Sequence, residues 1–141
     1  MLSWIRQLLL RSSESKTAAI GRRGEKEGER CLRSKGYRVV ARNWRAGKDE
    51  IDLVCLDGPT LVFVETRTRK SGALVSGYES IGRRKRDALK RVYRAYLAKL
   101  RPRPSAFRLD VVEVEHEAGL IIAIRHYENV PLFGKETFRG T

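Results

Sequence analysis

Cysteine is scarce. Cys31 and Cys55 are the two in a chain of 141 residues, and they form no CxxC pair, so neither a disulfide framework nor a four-ligand structural zinc site can be built. That usage suits a reducing compartment, and a cytoplasmic location is expected. Long hydrophobic runs are missing too. No stretch approaches the roughly 18 uninterrupted apolar residues of a membrane helix, which excludes a helical span. The opening MLSWIRQLLL is broken by Arg6 and Gln7 and followed by no small-residue cleavage site, so it does not read as a secretory signal. Leu2, Ile5, Leu8 and Leu9 instead predict the apolar side of a short helix ahead of a polar linker over 12–16. Histidine is limited to His116 and His126, without metal-ligand spacing, and both are expected to be ordinary surface or capping residues. There is no internal repeat, Gly-rich phosphate loop, GxSxG elbow or HExxH pair.

Acidic charge is the remaining deficit: 17 Asp and Glu stand against 30 Lys and Arg, a net +13. Such an excess repels itself in a compact state unless a polyanion or counterions offset it, so nucleic acid is the first partner to consider. Hydrophobic content of 41% with 33% charged residues is too apolar for a disordered chain and enough for one core. The predicted organisation is an N-terminal amphipathic, flexible segment over 1–19, one domain over 20–130 and a flexible tail over 131–141.

Residues 24–35 predict a helix, with Glu25 to Glu29 and Glu29 to Arg33 at i,i+4 and Gly36 placed to stop it. Gly28 costs that helix about 1 kcal/mol relative to Ala, which implies that something packs close there. A strand follows over 37–45. Residues 50–56 and 61–68 then flank Asp57-Gly58-Pro59-Thr60, the residue types a reversing loop uses, and predict a hairpin. If Leu56 faces Leu61, Val54 faces Phe63, Asp52 faces Glu65 and Glu50 faces Arg67, all on one sheet face. Carboxylates opposed at about 5 Å repel one another, and a cation between them reverses the sign. Two carboxylates with water and substrate phosphate are a known way to hold Mg²⁺. The alternative is a solvated edge on which Glu50 pairs with Arg67 and Glu65 with Arg69, since surface ion pairs are common and weak.

Residues 79–100 show helical periodicity at Ile81, Ala88, Leu89, Val92, Tyr93, Tyr96, Leu97 and Leu100. The other face holds Arg83, Arg84, Lys85, Arg86, Lys90 and Arg91, either a solvated face or a surface that tracks phosphates. Pro102 and Pro104 end the helix. Strands are predicted over 107–115 and 120–127 around Glu117-Ala118-Gly119.

The order helix, three strands, helix, strand, with an acid on the second strand and Glu-x-basic on the third, resembles the restriction-endonuclease-like superfamily, the PD-(D/E)xK pattern. Gly24-Glu25, Arg42-Asn43, Glu50-Ile51-Asp52-Leu53, Phe63-Val64-Glu65-Thr66-Arg67-Thr68-Arg69, Lys85 and Arg108-Leu109-Asp110-Val111-Val112 together are similar to the YraN-like family of bacterial endonuclease-like proteins. The superfamily also contains the archaeal Holliday-junction resolvases, in which a Glu of the first helix joins the metal site.

The resemblance implies an α/β fold with a restriction-endonuclease-like core: a helix, a three-stranded meander, a second helix and further strands in a mixed sheet flanked by helices. It implies that Asp52 and Glu65 bind Mg²⁺ or Mn²⁺, that Glu25 completes the site and that Arg67 takes the place of the catalytic Lys. Ile51 stands where the pattern has Pro. Arg67 is the more serious departure, because a guanidinium orients water or stabilises phosphate charge but does not give up a proton as a desolvated Lys does. Three functions are carried forward. The first is a metal-dependent endonuclease-like protein acting on DNA, including branched or distorted DNA. The second is a catalytically weak or inactive nucleic-acid-binding module, and the third a small basic RNA- or ribosome-associated protein. A homodimer, with Leu132 and Phe133 contributing, is a further expectation.

Overall fold

The computed structural model describes residues 15–73 and 79–132; the short helix expected within 1–19, the linker at 12–14, Phe133 and the rest of the tail fall outside them. The first helix, α1 (Lys16–Ser34), begins eight residues before the expected start. Ser15 caps it, its hydroxyl accepting from the Ala18 N–H at 3.1 Å. Gly36, at φ +91, lets the chain turn away as expected. The buried stripe of α1 is Ile20, Gly24, Gly28 and Leu32. Its two glycines bring the helix backbone onto the sheet: a Cβ at Gly28 would lie 3.2 Å from Val112 Cγ1, and one at Gly24 2.6 Å from Thr68 Oγ1.

Strands β1 (Arg38–Ala46), β2 (Asp49–Asp57) and β3 (Thr60–Lys70) form the meander. The second helix, α2 (Arg83–Ala98), is shorter at both ends than its periodicity predicts. It makes the crossover to β4 (Phe107–Glu117), which lies parallel to β3, and β5 (Leu120–Tyr127) closes an antiparallel hairpin. The result is a mixed five-stranded sheet in the order β1-β2-β3-β4-β5 with a helix on each face.

Strand alternation splits the core. Phe63, Leu61, Val54, Leu109 and Val111 pack with Leu89, Val92, Tyr93 and Leu97 of α2. Val62, Val64, Cys55, Val112 and Val114 pack with Leu32 of α1. Leu132 is buried in the α2-side cluster, so it belongs to the monomer's own core and offers no dimer surface. The helices are offset. The backbone of α1 comes closest to β3, β4 and β5, whereas that of α2 comes closest to β2 and β1, with the side chains of α2 reaching on to Phe63 of β3 and Leu109 and Val111 of β4.

The β2–β3 register follows the expected pairing from Asp57↔Thr60 to Leu53↔Val64, and there it stops. Beyond it, β2 stays with β1 as far as Asp49 and β3 stays with β4 as far as Lys70, so the sheet splits between Asp52 and Glu65. The cause is a turnover shared by β1 and β2. Between the pairs Arg42↔Leu53 and Trp44↔Ile51 sit Asn43, at φ +48, and Asp52. Asn is one of the few residue types that tolerates this left-handed backbone. Alternation breaks there: Ile51 and Val54, three residues apart, face the same cluster. The expectation that Asp52 directly opposes Glu65 on one face is therefore corrected, because Asp52 leaves the ladder.

Candidate functional site

The split gathers the carboxylates. Asp52 Oδ2 accepts the Thr66 N–H at 2.9 Å, a bond that takes the place of the missing rung. Glu65 points to the α2 face, where it is 3% exposed. Lys85, in the first turn of α2, brings Nζ to 3.4 Å from Glu65 Oε1, and Arg67 brings Nη1 to 3.8 Å from the same atom. Glu65 Oε2 and Arg67 Nε are buried without a hydrogen-bond partner.

Burial, followed by the negative charge of Asp52, pushes the Glu65 carboxyl up to about 7. Burial also raises Asp52, against the lowering effect of the Thr66 N–H and Lys85. The two carboxyls are close enough to hydrogen-bond when one is protonated. Tyr93, stacked on Phe63 at 4.1 Å, belongs to the same environment: burial, then Glu65 and Asp52, hold its hydroxyl well above the ordinary range. Sequence periodicity assigns Tyr93 only to a core stripe, and nothing in the spacing marks its nearness to two acids.

Glu25 reaches the same place from α1, its carboxyl raised by burial, by Asp52 and by Glu50. It lines a groove of about 310 Å³ together with Asp52, Thr66, Arg22, Lys26 and Arg42. Glu25 and Asp52 thus share a groove while Glu65 approaches from behind. Among the described residues no cluster of three or more His, Cys, Asp or Glu side chains is close enough to hold a metal ion. Two adjacent carboxyls, Asp52 and Glu65, are the kind of donor pair that fits a divalent cation whose shell is completed by water and phosphate. The unpartnered Oε2 of Glu65 supports that fit. Glu25, which the resemblance implies completes the site, lines the groove beside Asp52.

The solvated-edge alternative does not describe the hairpin. Glu50 pairs with Arg45 at 2.9 Å, and Glu65 pairs with Lys85 and Arg67. Of the six basic residues expected to track phosphates, Lys85 is at the carboxylates, Arg91 is held by Asp49 at 2.6 and 2.9 Å, and Arg86 donates to the Ile81 carbonyl at 3.2 Å. Arg83 and Arg84 are exposed and Lys90 half-buried.

A second polar cluster lies on the α1 face, one rung from Glu65. Asp110 is fully buried and accepts from Tyr37 Oη at 3.1 Å, Arg108 Nε at 2.9 Å and the Asn129 N–H at 3.0 Å. His126 Nε2 lies 2.8 Å from Asp110 and its Nδ1 2.9 Å from Lys35 Nζ. An ammonium can only donate, so Nδ1 accepts and Nε2 carries the proton to Asp110. The His126 side chain is 1% exposed, which corrects the expectation of a surface residue; a His on a strand gives no sign of a buried acid on its neighbour.

The profile of the uncharacterised protein family UPF0102 matches residues 24–114. A UPF0102 protein of Nitratidesulfovibrio vulgaris is 39% identical over 108 residues, 77% of this chain and 80% of that protein. One of Symbiobacterium thermophilum is 42% identical over 68% of this chain and 81% of its own length, and one of an Arthrobacter species is 39% identical over 79% and 94%. Among solved structures, SfsA of Pyrococcus furiosus in complex with Ca²⁺ is 19% identical, with a TM-score of 0.38; the match covers 79% of this chain and 63% of that one, under two thirds of its length. The profile match and these relatives establish that the chain belongs to the UPF0102 family.

Proposed function

We propose that the protein is a metal-dependent, endonuclease-like protein that hydrolyses phosphodiester bonds in DNA, branched or distorted DNA included, with Mg²⁺ or Mn²⁺ held by Asp52 and Glu65. The observation that carries this reading is a pair of acids, one 3% exposed, at a break in the sheet, both raised by burial, with Glu65 raised further by the charge of Asp52. Burying two carboxylates side by side costs stability, and that cost is offset when a cation binds between them. The metal, when bound, supplies a water of lowered pKa and polarises the scissile phosphate.

The chain's own groups do the rest. Asp52, oriented by the Thr66 N–H, and Glu65 hold the ion. Glu25 accepts a hydrogen bond from water at the groove side. Arg67 keeps a fixed charge beside Glu65, where negative charge builds on the phosphoryl oxygens as water adds to phosphorus and the leaving oxygen departs. The net +13 favours a polyanionic substrate, and the lack of a helix-turn-helix or zinc finger makes shape, not base edges, the basis of choice.

The second reading is a nucleic-acid-binding module without turnover, and Arg67 in the lysine place favours it. Labelled linear, flapped and four-way DNAs incubated in Mn²⁺, with and without chelator, separate the two. Cleavage is expected in wild type and abolished in Asp52→Asn, with DNA affinity nearly unchanged and Mn²⁺ binding lost by calorimetry. Equal Mn²⁺ binding by both proteins rejects the site, and binding without cutting by wild type selects the module.

A further inference from the structure

The offset of the two helices leaves two basic surfaces from which a nucleic acid can be held, and they differ in what they adjoin. On α2, three of the seven basic side chains already serve the fold or the site: Lys85 at Glu65, Arg91 at Asp49 and Arg86 at the Ile81 carbonyl. On the α1 side, the helix backbone lies closest to β3, β4 and β5. There α1 and the β1–β2 hairpin form the walls of the groove that opens onto Asp52. Its rim is exposed and basic, Arg22 and Lys26 from α1 and Arg42 from β1, while Asp52, Leu53 and Thr66 below are buried or half-buried. Glu29 is bound by Arg42 at 3.2 Å and by Arg33 at 3.3 Å, so it does not repel an anion. The acids left to do so are Glu25 and Asp52, at the place where a cation is proposed to sit.

We infer that a phosphodiester backbone lies in this groove between α1 and the β1–β2 hairpin, with Arg22 and Lys26 as its phosphate contacts, and that the basic face of α2 is not the docking surface. The inference deepens the proposed function, on which it rests for the identity of the ligand. Charge complementarity carries it. A strand in the groove passes the carboxylates between flanking cations, whereas a strand along the outer face of α2 contacts Arg83, Arg84 and Lys90 with the helix between it and the carboxylate pair. A phosphate that must reach Asp52 from solvent enters by the groove, because Glu65 is closed off behind it by α2.

The test is a salt titration with a labelled flapped DNA. Each phosphate contact to duplex contributes about 0.9 to the slope of log K against log salt. Arg22→Gln/Lys26→Gln is therefore expected to lower the slope by nearly two, and Arg83→Gln/Lys90→Gln to leave it unchanged. A slope lowered by the α2 pair, alone or equally with the α1 pair, overturns the groove. A wild-type protein that binds no DNA at all overturns the proposed function and the groove with it; tight binding with the α1 pair unaltered overturns the groove alone. Amine-reactive footprinting of the wild-type protein keeps the test open should the α1 variant fail to fold. Lys26 is expected to be shielded by DNA while Lys90 stays reactive, and the reverse pattern refutes the inference.

Discussion

Glu65 is an acid that folding makes harder to ionise, and the sign of that effect is measurable. Its carboxyl rises from the ordinary 4.5 to about 7, through burial first and Asp52 second. Between those two values the native state holds a proton that the unfolded chain has released. Its contribution is therefore fully present below about pH 4.5 and is lost as pH rises toward 7, with a slope approaching 1.4 kcal/mol per pH unit. Metal-free Glu65→Gln is expected to lack that decline, since an amide does not titrate, and urea midpoints from pH 5 to 8 read the difference. Parallel curves would refute the buried-pair description. Mn²⁺ acts in the opposite sense, stabilising wild type more at pH 8 than at pH 5.5, because binding requires both carboxylates ionised. That Asp52 and Glu65 meet is legible in the sequence, because Asp57-Gly58-Pro59-Thr60 fixes the hairpin register. That Asp52 turns aside is not. It depends on a left-handed Asn43 on the neighbouring strand, and an Asn is compatible with many backbones.

Among the elements, α1 shows how much close approach depends on single glycines. Gly24 and Gly21 stand in one helix, but only Gly24 meets the sheet: a Cβ there falls 2.6 Å from Thr68 Oγ1, while at Gly21 nothing lies within 4 Å. Overpacking costs about 1–3 kcal/mol and Ala gains about 1 over Gly in a helix. Gly24→Ala should therefore lower the melting temperature by several degrees, and Gly21→Ala should raise it. Thermal unfolding followed by circular dichroism reads both, and shifts of the same sign would contradict the packing. The close contact at Gly28 is legible from its composition cost, since a helix keeps a mid-helix glycine at that expense for a reason. The early start of α1 is less so: Ser15 caps a first turn without an acidic residue, and Gly21 interrupts the pattern that marks the later turns.

At the scale of the whole molecule, helix, meander, helix and hairpin are legible in order, because period-two and period-3.6 patterns alternate cleanly between turn residues. What ties the pieces together is not, because it is polar and distributed. Asp110 on β4 receives Tyr37 from just before β1, His126 from β5, the Asn129 N–H beyond it and Arg108, which also bonds Asp57 at the end of β2 at 2.9 Å. Burial alone would raise this carboxyl, but His126, Arg108 and the Asn129 N–H outweigh it and hold it at about 2. The contribution is thus present above about pH 3.8 and lost as pH falls toward 2, opposite in sense to that of Glu65. Asp110→Ala strips the acceptor from three donors and leaves Arg108, 16% exposed, with Asp57 as its remaining carboxylate. Removing one partner of a buried ion pair costs about 3–5 kcal/mol, because the other charge stays behind. Urea denaturation at pH 7 is expected to show a loss of that order, with the acid-limb loss of stability between pH 4 and 2 correspondingly reduced. The rung that pairs Val64 with Asp110 adjoins the one that pairs Glu65 with Val111, so the same cluster braces β3 from the face opposite the split. A loss under about 1 kcal/mol, the net worth of an ordinary hydrogen bond, would mean that β4 is held by its apolar side chains alone.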